Sequence, residues 1–177
     1  MNPKKIVVIG DSCAGKTTLA KTLASALNVK HVELDALHWE PGWKEADKKA
    51  FQERLTAALT DESWVVDGNY TSKTEELVWT RAEMVIWLDP PLATILYRFV
   101  LRSFTRAFTR EVLWDGCRES LRNSIFKKDS LLVWILTTHQ RRKKQFSALM
   151  TAGQYPNIEF FHVKTAAERR ALLKRFI

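Results

Sequence analysis

The chain has 177 residues and a formal net charge of +8, and its 46% hydrophobic content with seven tryptophans is ample for the core of a single domain spanning residues 1–177. No apolar run approaches the about 18 residues of a membrane span, and the early strand pattern argues against a signal peptide. The two cysteines, Cys13 and Cys117, do not suggest a disulfide framework, so we expect a cytoplasmic protein without membrane contact.

The N-terminal residues follow a strand–loop–helix pattern. An apolar, β-branched run over Lys4–Ile9 predicts a buried parallel strand, and Thr17–Leu27 has the spacing of an amphipathic helix. Between them stands the phosphate-loop pattern G-x-x-x-x-G-K-[ST], in which the glycines let backbone N–H groups point at phosphates. Lys16 supplies a cation for the β- and γ-phosphates, and the Thr17 hydroxyl is a ligand for Mg²⁺.

This pattern predicts a nucleoside triphosphate site. ATP is the default donor because the chain carries no N-K-x-D signature of guanine binding. The residues predicted to contact the nucleotide here are Gly10, Asp11, Ser12, Cys13, Ala14, Gly15, Lys16, Thr17 and Thr18.

Four further strand patterns alternate with helical patterns. The strands are predicted at Lys30–Asp35, Ser63–Gly68, Met84–Asp89 and Ile158–Val163. Helices are predicted at Lys44–Thr60, at about 72–81, twice or three times within about 92–151, and at about 166–176, with a turn at Pro41-Gly42. This alternation indicates an α/β fold whose five-stranded, mostly parallel sheet is covered on both faces and binds ligands at the carboxyl ends of its strands.

Three carboxylates fall at predicted strand ends. Asp67 ends an apolar strand and precedes Gly68, which is typical of an acid that holds Mg²⁺, so Asp67 and Thr17 are the predicted metal ligands. Asp89 is followed at once by Pro90-Pro91, and this favours a turn. The third carboxylate, Asp35, is the candidate for orienting or deprotonating the hydroxyl of an acceptor.

Polar and aromatic residues follow Asp35. His38, Trp39 and Trp43 suit a site that grips a small acceptor, so the segment of about 36–62 is predicted to bind it. The alternative is that Asp35 only caps the segment that follows its strand.

The excess positive charge lies in one segment. Residues 98–144 hold twelve Lys or Arg and four Asp or Glu. The rest of the chain holds sixteen positively charged and sixteen negatively charged residues and is therefore neutral. Within it, Arg98, Arg102, Arg106 and Arg110 are spaced four apart and share one sector of a helix. On another face of that helix, an apolar set can pack against the core; its members are Leu101, Phe104 and Phe108.

The arginine stripe predicts contact with an anion, because guanidinium forks bind phosphate oxygens bidentately. Arg98 and Arg102 are therefore candidate catalytic residues, and Arg142, from a second basic cluster, is a candidate nucleotide contact. The alternative for the stripe is a solvated face whose partners come from elsewhere in the fold.

The order of these motifs resembles the nucleoside-monophosphate kinase and shikimate kinase branch of P-loop proteins. The resemblance implies a three-layer P-loop NTPase fold with sheet order 2-3-1-4-5 and a helical lid at about 98–144. It also implies that Asp67 is the D-G acid, that Arg98 and Arg102 open the lid, and that Asp35 holds the acceptor hydroxyl.

Further motifs are similar to adenylate-kinase-related proteins known as DNA topology modulation proteins. They are Leu34-Asp35-Ala36-Leu37-His38-Trp39, Pro41-Gly42-Trp43 and Asp67-Gly68-Asn69-Tyr70. The F-P-R that follows D-G in adenylate kinases is replaced here by Asn69-Tyr70-Thr71, so the acceptor class stays open.

Two functions are compatible with this sequence. The first is an ATP- and Mg²⁺-dependent kinase that acts on a small hydroxylated or nucleotide acceptor, as a monomer or homodimer. The second is a nucleic-acid-binding P-loop NTPase that affects DNA topology, with the basic segment tracking a DNA backbone. We favour the kinase because no nucleic-acid-binding motif is present and ATP already explains an arginine stripe.

Overall fold

The computed structural model describes residues 3–109, 111–117 and 130–176, and Arg110 and residues 118–129 of the predicted basic segment lie outside them. The strands in the described residues are β1 (Lys5–Gly10), β2 (Lys30–Glu33), β3 (Trp39–Glu40), β4 (Lys44–Glu45), β5 (Trp64–Asp67), β6 (Met84–Leu88) and β7 (Glu159–Val163). Five of them form a sheet in the order β2-β5-β1-β6-β7, in which every neighbouring pair is parallel. The predicted sheet order is therefore confirmed.

Helices separate these strands along the chain. The helices in the described residues are α1 (Lys16–Leu27), α2 (Leu34–His38), α3 (Lys48–Ala58), α4 (Thr71–Thr74), α5 (Leu92–Thr109), α6 (Leu131–Thr151) and α7 (Ala166–Leu173), with a π-helical turn at Glu75–Trp79 and a 3₁₀ turn at Trp114–Gly116. None of the helices in the described part of the chain combines the length and apolarity needed to cross a bilayer.

Helices cover both faces of the sheet and make the three-layer arrangement that was predicted. One face packs against α1 and α7, with Leu19, Leu23 and Leu172 buried in that cluster. The other face packs against α3 and α6, which contribute Phe51 and Phe146. Because β1 and β6 are buried on both faces, they have the near-continuous apolar sequences of central parallel strands.

Two predicted boundaries near the sheet edge were wrong. β2 ends at Glu33, and Asp35 lies within α2, two residues past the strand. Lys44 is part of the β3–β4 hairpin, whose turn uses Gly42 at a φ of +78°. The helix that was predicted from Lys44 begins at Lys48, because the Asp47 carboxylate accepts the N–H groups of the first turn.

The predicted packing face of α5 was also wrong. Ile95, Phe99 and Ser103 form its buried face, whereas the predicted apolar set is exposed, with Phe108 at 95%. Arg98 and Arg102 are half-buried beside that face. The helix is therefore rotated so that its arginines, rather than its outer apolar residues, face the rest of the fold.

Candidate active site

The loop between β1 and α1 has the backbone shape that a phosphate cradle requires. Gly10 has a φ of +146°, and a Cβ there would lie 2.4 Å from the carbonyl oxygen of Leu88, so no other residue fits without moving the backbone. Gly15 also has a positive φ, at +100°, at the N-terminus of α1. The Lys16 ammonium donates to the carbonyl of Asp11 at 3.0 Å, which folds this cation back over the loop.

The structure brings the two predicted metal ligands together. The Thr17 hydroxyl donates to Oδ2 of Asp67 at 2.7 Å, although the residues are 50 apart in the chain. The other oxygen, Oδ1, accepts from Nε2 of His31 at 2.7 Å. A hydroxyl and a carboxylate are hard oxygen donors, so this pair fits Mg²⁺ that retains water and phosphate ligands.

Asn69 connects the strand end that carries Asp67 to the phosphate loop. Its Oδ1 accepts the N–H of Gly10 at 3.1 Å, and its Nδ2 donates to the carbonyl of Gly10 at 2.6 Å. The side chain thereby pairs with both backbone groups of the first loop glycine. Since Asn69 follows Asp67 by two residues, it sets the distance between the loop and that carboxylate.

We expect Asn69→Ala to weaken both the fold and the nucleotide site. Loss of two part-buried hydrogen bonds lowers the free energy of unfolding by about 1–3 kcal/mol. The released loop also raises the KM for ATP. Chemical denaturation and ATP titration measure the two effects, with Asn157→Ala at an exposed site as the control. An unchanged KM for ATP in Asn69→Ala would contradict the positioning role.

Asp35 lies within electrostatic reach of Lys16, and Tyr70 binds it. The Tyr70 hydroxyl donates to Oδ1 of Asp35 at 2.8 Å, and burial and this carboxylate together raise the pKa of Tyr70. Tyr70 packs at 4.5 Å, between ring centres, against the buried His38. Among the described residues, Tyr70 supplies the hydrogen bond that the Asp35 side chain receives.

Aromatic rings continue from this point towards the 3₁₀ turn. Trp39 packs edge-on against His38, Trp43 against Trp39, and Trp114 against Trp43, with ring-centre distances between 4.9 and 6.0 Å. The residues predicted to grip an acceptor therefore form one aromatic series beside Asp35.

The site holds a half-buried cation, Lys16, among carboxylates. Burial lowers the pKa of Lys16, and the charges of Asp35 and Asp67 act in the opposite direction. Burial also raises the pKa of Glu33, a carboxyl that sequence reasoning missed, and Asp67 and Asp35 raise it further. Asp35 and Asp67 thus lie within electrostatic reach of Lys16, which is predicted to bind the transferred phosphate.

Two of the predicted arginines reach this region. Arg98 Nη1 donates to the carbonyl of Ala14 in the phosphate loop at 2.8 Å. Arg142 packs over the Trp134 ring at 4.2 Å, and its Nη1 is buried without a hydrogen-bond partner among the described residues. Burial lowers the pKa of Arg142, while Asp11 opposes that shift. An orphaned buried guanidinium nitrogen suits an anionic ligand. Arg102 is on α5 with its Nε buried.

Helix α6 is anchored to the carboxyl end of the sheet by a hydrogen bond and an ion pair. His139 Nδ1 lies 2.5 Å from Oδ2 of Asp11, and both residues are buried. Lys143 lies 3.0 Å from Oδ2 of Asp89, which also accepts from His162. Asp89 therefore ties β6 to α6 and β7, as a structural residue would.

A cavity of about 220 Å³ lies beside the phosphate loop. We call it the side cavity; Pro90, Pro91 and Arg98 line it from the segment after β6, and Arg169 lines it from α7. Arg98 and Arg169 approach the same backbone point, since a Cβ on Gly15 would lie 3.5 and 3.6 Å from their Nη1 atoms.

Sequence reasoning missed several of these residues. His31, His139 and Arg169 carried no signal, because each acts only through contacts across the fold. Asn69 carried a weak signal, because it directly follows the predicted Asp67-Gly68 motif. In the described part of the chain, no group of three or more His, Cys, Asp or Glu residues is arranged to hold a metal. Thr17 and Asp67 as metal ligands stay a prediction.

No protein-family model matches the chain, and no curated protein matches its sequence. Solved structures match it over nearly its whole length. The shikimate kinase of Bacteroides thetaiotaomicron gives a TM-score of 0.55 at 16% identity, covering 98% of this chain and 96% of that one. The gluconokinase of Sinorhizobium meliloti gives 0.52 at 20% identity, covering 98% and 93%. The similarity to DNA topology modulation proteins stays a prediction, and the chain has the fold of these P-loop kinases.

Proposed function

We propose that this protein is an ATP-dependent kinase that transfers the γ-phosphoryl group to a hydroxyl of a small acceptor. The observation that carries the proposal is the convergence of Lys16, the Thr17–Asp67 pair and Asp35 at one edge of the sheet. Shikimate kinase and gluconokinase, which share the fold, are named for small hydroxylated acceptors, and this supports a similar class here.

Each residue of the proposed site has a distinct role. The loop N–H groups and Lys16 bind the β- and γ-phosphates, and Arg98, Arg102 and Arg142 neutralise charge on the group in transfer. Thr17 and Asp67 hold Mg²⁺, which neutralises phosphate charge when bound. The acceptor oxygen bonds to the γ-phosphorus, the bond to the ADP oxygen breaks, and the acceptor proton passes to Asp35.

A panel of nucleoside monophosphates and small hydroxylated metabolites tests the proposal. We expect at least one compound to accelerate ADP release above the rate with water alone, and the phosphorylated product to appear in equal amount. ADP release that stays at the basal rate with every compound would contradict the kinase.

Asp35→Asn tests the acceptor side. We expect kcat to fall by about tenfold, a modest loss because phosphoryl transfer has a loose transition state that asks little of a base. The KM for ATP should stay near that of the wild type, since Asp35 lies on the acceptor side. Steady-state kinetics measure both constants, with Asp61→Asn at an exposed site as the control. A raised KM for ATP with an unchanged kcat would argue against this role.

The nucleic-acid alternative gains no support from the site. Arg98 bonds to the phosphate loop, and Arg106 pairs with Glu111 at 3.2 Å, so these members of the stripe are not aligned as a free DNA-binding row. Retention of duplex DNA at about 0.15 M salt, unaffected by ATP, would revive that alternative.

A further inference from the structure

Helix α5 carries an exposed apolar stripe on the side that points away from the fold. Its members are Tyr97, Leu101, Phe104 and Phe108, whose exposed fractions are 65%, 50%, 56% and 95%. Their spacing keeps them within a sector of about 60° on a helix of 3.6 residues per turn. The buried face of α5, which contains Phe99, lies on the opposite side. The packing of α5 within this chain therefore does not use the stripe.

The stripe is large for a surface that meets only water. A large side chain has roughly 200 Å² of surface, so the exposed fractions amount to about 500 Å². This is at the upper end of what monomeric proteins expose as one apolar patch, and such patches mark sites of association. Val100, beside the stripe, adds further exposed apolar surface. Two such faces packed together bury about 1,000 Å² or more, which is the area that a specific interface requires.

The charges of α5 leave the stripe open to a second copy of the same helix. α5 contains three arginines and no acidic residue, and none of the arginines falls in the sector of the stripe. Arg98 bonds to the phosphate loop, and Arg106 bonds to an acid just beyond the end of the helix. The positions that flank the stripe include the small, uncharged Thr105 and Ala107. Two stripes can therefore meet without bringing like charges face to face.

The spacing of the stripe favours another helix as its partner. Steps of four, three and four residues are those of the seam along which two helices pair side by side. A helix that lies on an anionic membrane needs cations that are free to reach the lipid headgroups. In α5, Arg98 and Arg106 are instead turned towards other parts of the chain.

We propose that two copies of this protein form a two-fold symmetric dimer by packing their α5 stripes against each other. A two-fold axis brings the same surface of both copies together, so a stripe that is apolar along its whole length is its own complement. The dimer also holds α5 from its outer side, and α5 is the helix from which Arg98 reaches the phosphate loop. The proposal does not depend on the proposed kinase function, because the stripe takes no part in the chemistry.

Sedimentation velocity of the full chain at about 1–100 µM tests the proposal, since interfaces of standard size have dissociation constants of micromolar or less. We expect the wild type to sediment as a dimer. Leu101→Glu and Phe104→Glu should each raise the dissociation constant by at least about 100-fold, because they bury unpaired carboxylates in the interface. Phe108→Ser, at a side chain that is 95% exposed, leaves the fold of the monomer intact and should raise it by about tenfold or more.

Leu136→Glu is the matched control. Leu136 lies on α6 and is 49% exposed, against 50% for Leu101, but it does not belong to the stripe. We expect this variant to remain a dimer, and all four variants to keep the ellipticity of the wild type.

Three outcomes would overturn the proposal. The first is a wild type that stays monomeric at every concentration. The second is a dimer that survives Leu101→Glu, Phe104→Glu and Phe108→Ser, or that Leu136→Glu dissociates as readily. The third is a monomer that sediments with vesicles of phosphatidylserine and phosphatidylcholine and loses this binding in Phe104→Glu, which would assign the stripe to a membrane surface.

Discussion

Replacing Lys16 with alanine is expected to reduce kcat by about 1,000-fold, the upper range for loss of one donor to a developing negative charge. Its side chain is half-buried at the phosphate loop, within electrostatic reach of Asp35 and Asp67. Without it, the charge on the transferred group has no cation at the base of the loop. ADP release with the best acceptor from the panel measures the loss.

The inactive variant should remain folded. Burial lowers the pKa of Lys16, so the folded state disfavours the charged form of this side chain. Removing the ammonium therefore relieves a cost of folding at neutral pH, which offsets the lost hydrogen bond to Asp11. Lys21→Ala, one turn later on the exposed side of α1, is the control and should retain wild-type turnover. Unchanged turnover in Lys16→Ala would rule out the kinase mechanism.

Asp67→Asn is expected to reduce activity and the apparent affinity for Mg²⁺ by about 10- to 100-fold, as loss of a residue that holds or orients a metal does. The amide keeps the shape of the side chain but removes the negative charge and one acceptor. Thr17 and His31 both donate to that carboxylate, so the substitution also leaves one of them with a poorer partner. Activity as a function of free Mg²⁺ separates the loss of affinity from the loss of turnover.

Asp89→Asn is the matched control, because Asp89 also follows an apolar strand at the same edge of the sheet. Its carboxylate pairs with Lys143 and His162 rather than with the phosphate loop. We expect it to lower the melting temperature without changing the Mg²⁺ dependence. A shift in Mg²⁺ dependence in Asp89→Asn and none in Asp67→Asn would reverse the assignment of the two acids.

Local patterns predicted the fold well where burial was continuous. The runs around Val7 and Ile86 are apolar because their strands are buried on both faces. The order of the sheet was implied by the resemblance to P-loop kinases and not by any local pattern. Prediction was poorer at the sheet edge. Asp35 was placed on a strand that ends at Glu33, because a short helix replaces the strand there and two residues give no periodicity to detect.

The arginines show the limit of helical spacing. Their period of four correctly placed Arg98 and Arg102 on one sector, but it could not tell which sector of α5 faces the fold. Ile95, Phe99 and Ser103 are buried instead of the more apolar set that contains Phe108. Packing against Ile135 of α6 decides the rotation, and this contact joins elements far apart in the chain.

The amino-acid sequence by itself determined the phosphate loop and the alternation of strands and helices, because glycine conformations and apolar periodicity act over a few neighbouring residues. Tertiary structure alone decided which distant side chains complete the site. Asn69 reaches Gly10 across 59 residues, and His139 reaches Asp11 across 128. Such contacts depend on the direction in which each strand end and helix presents its side chains, and no local pattern encodes that direction.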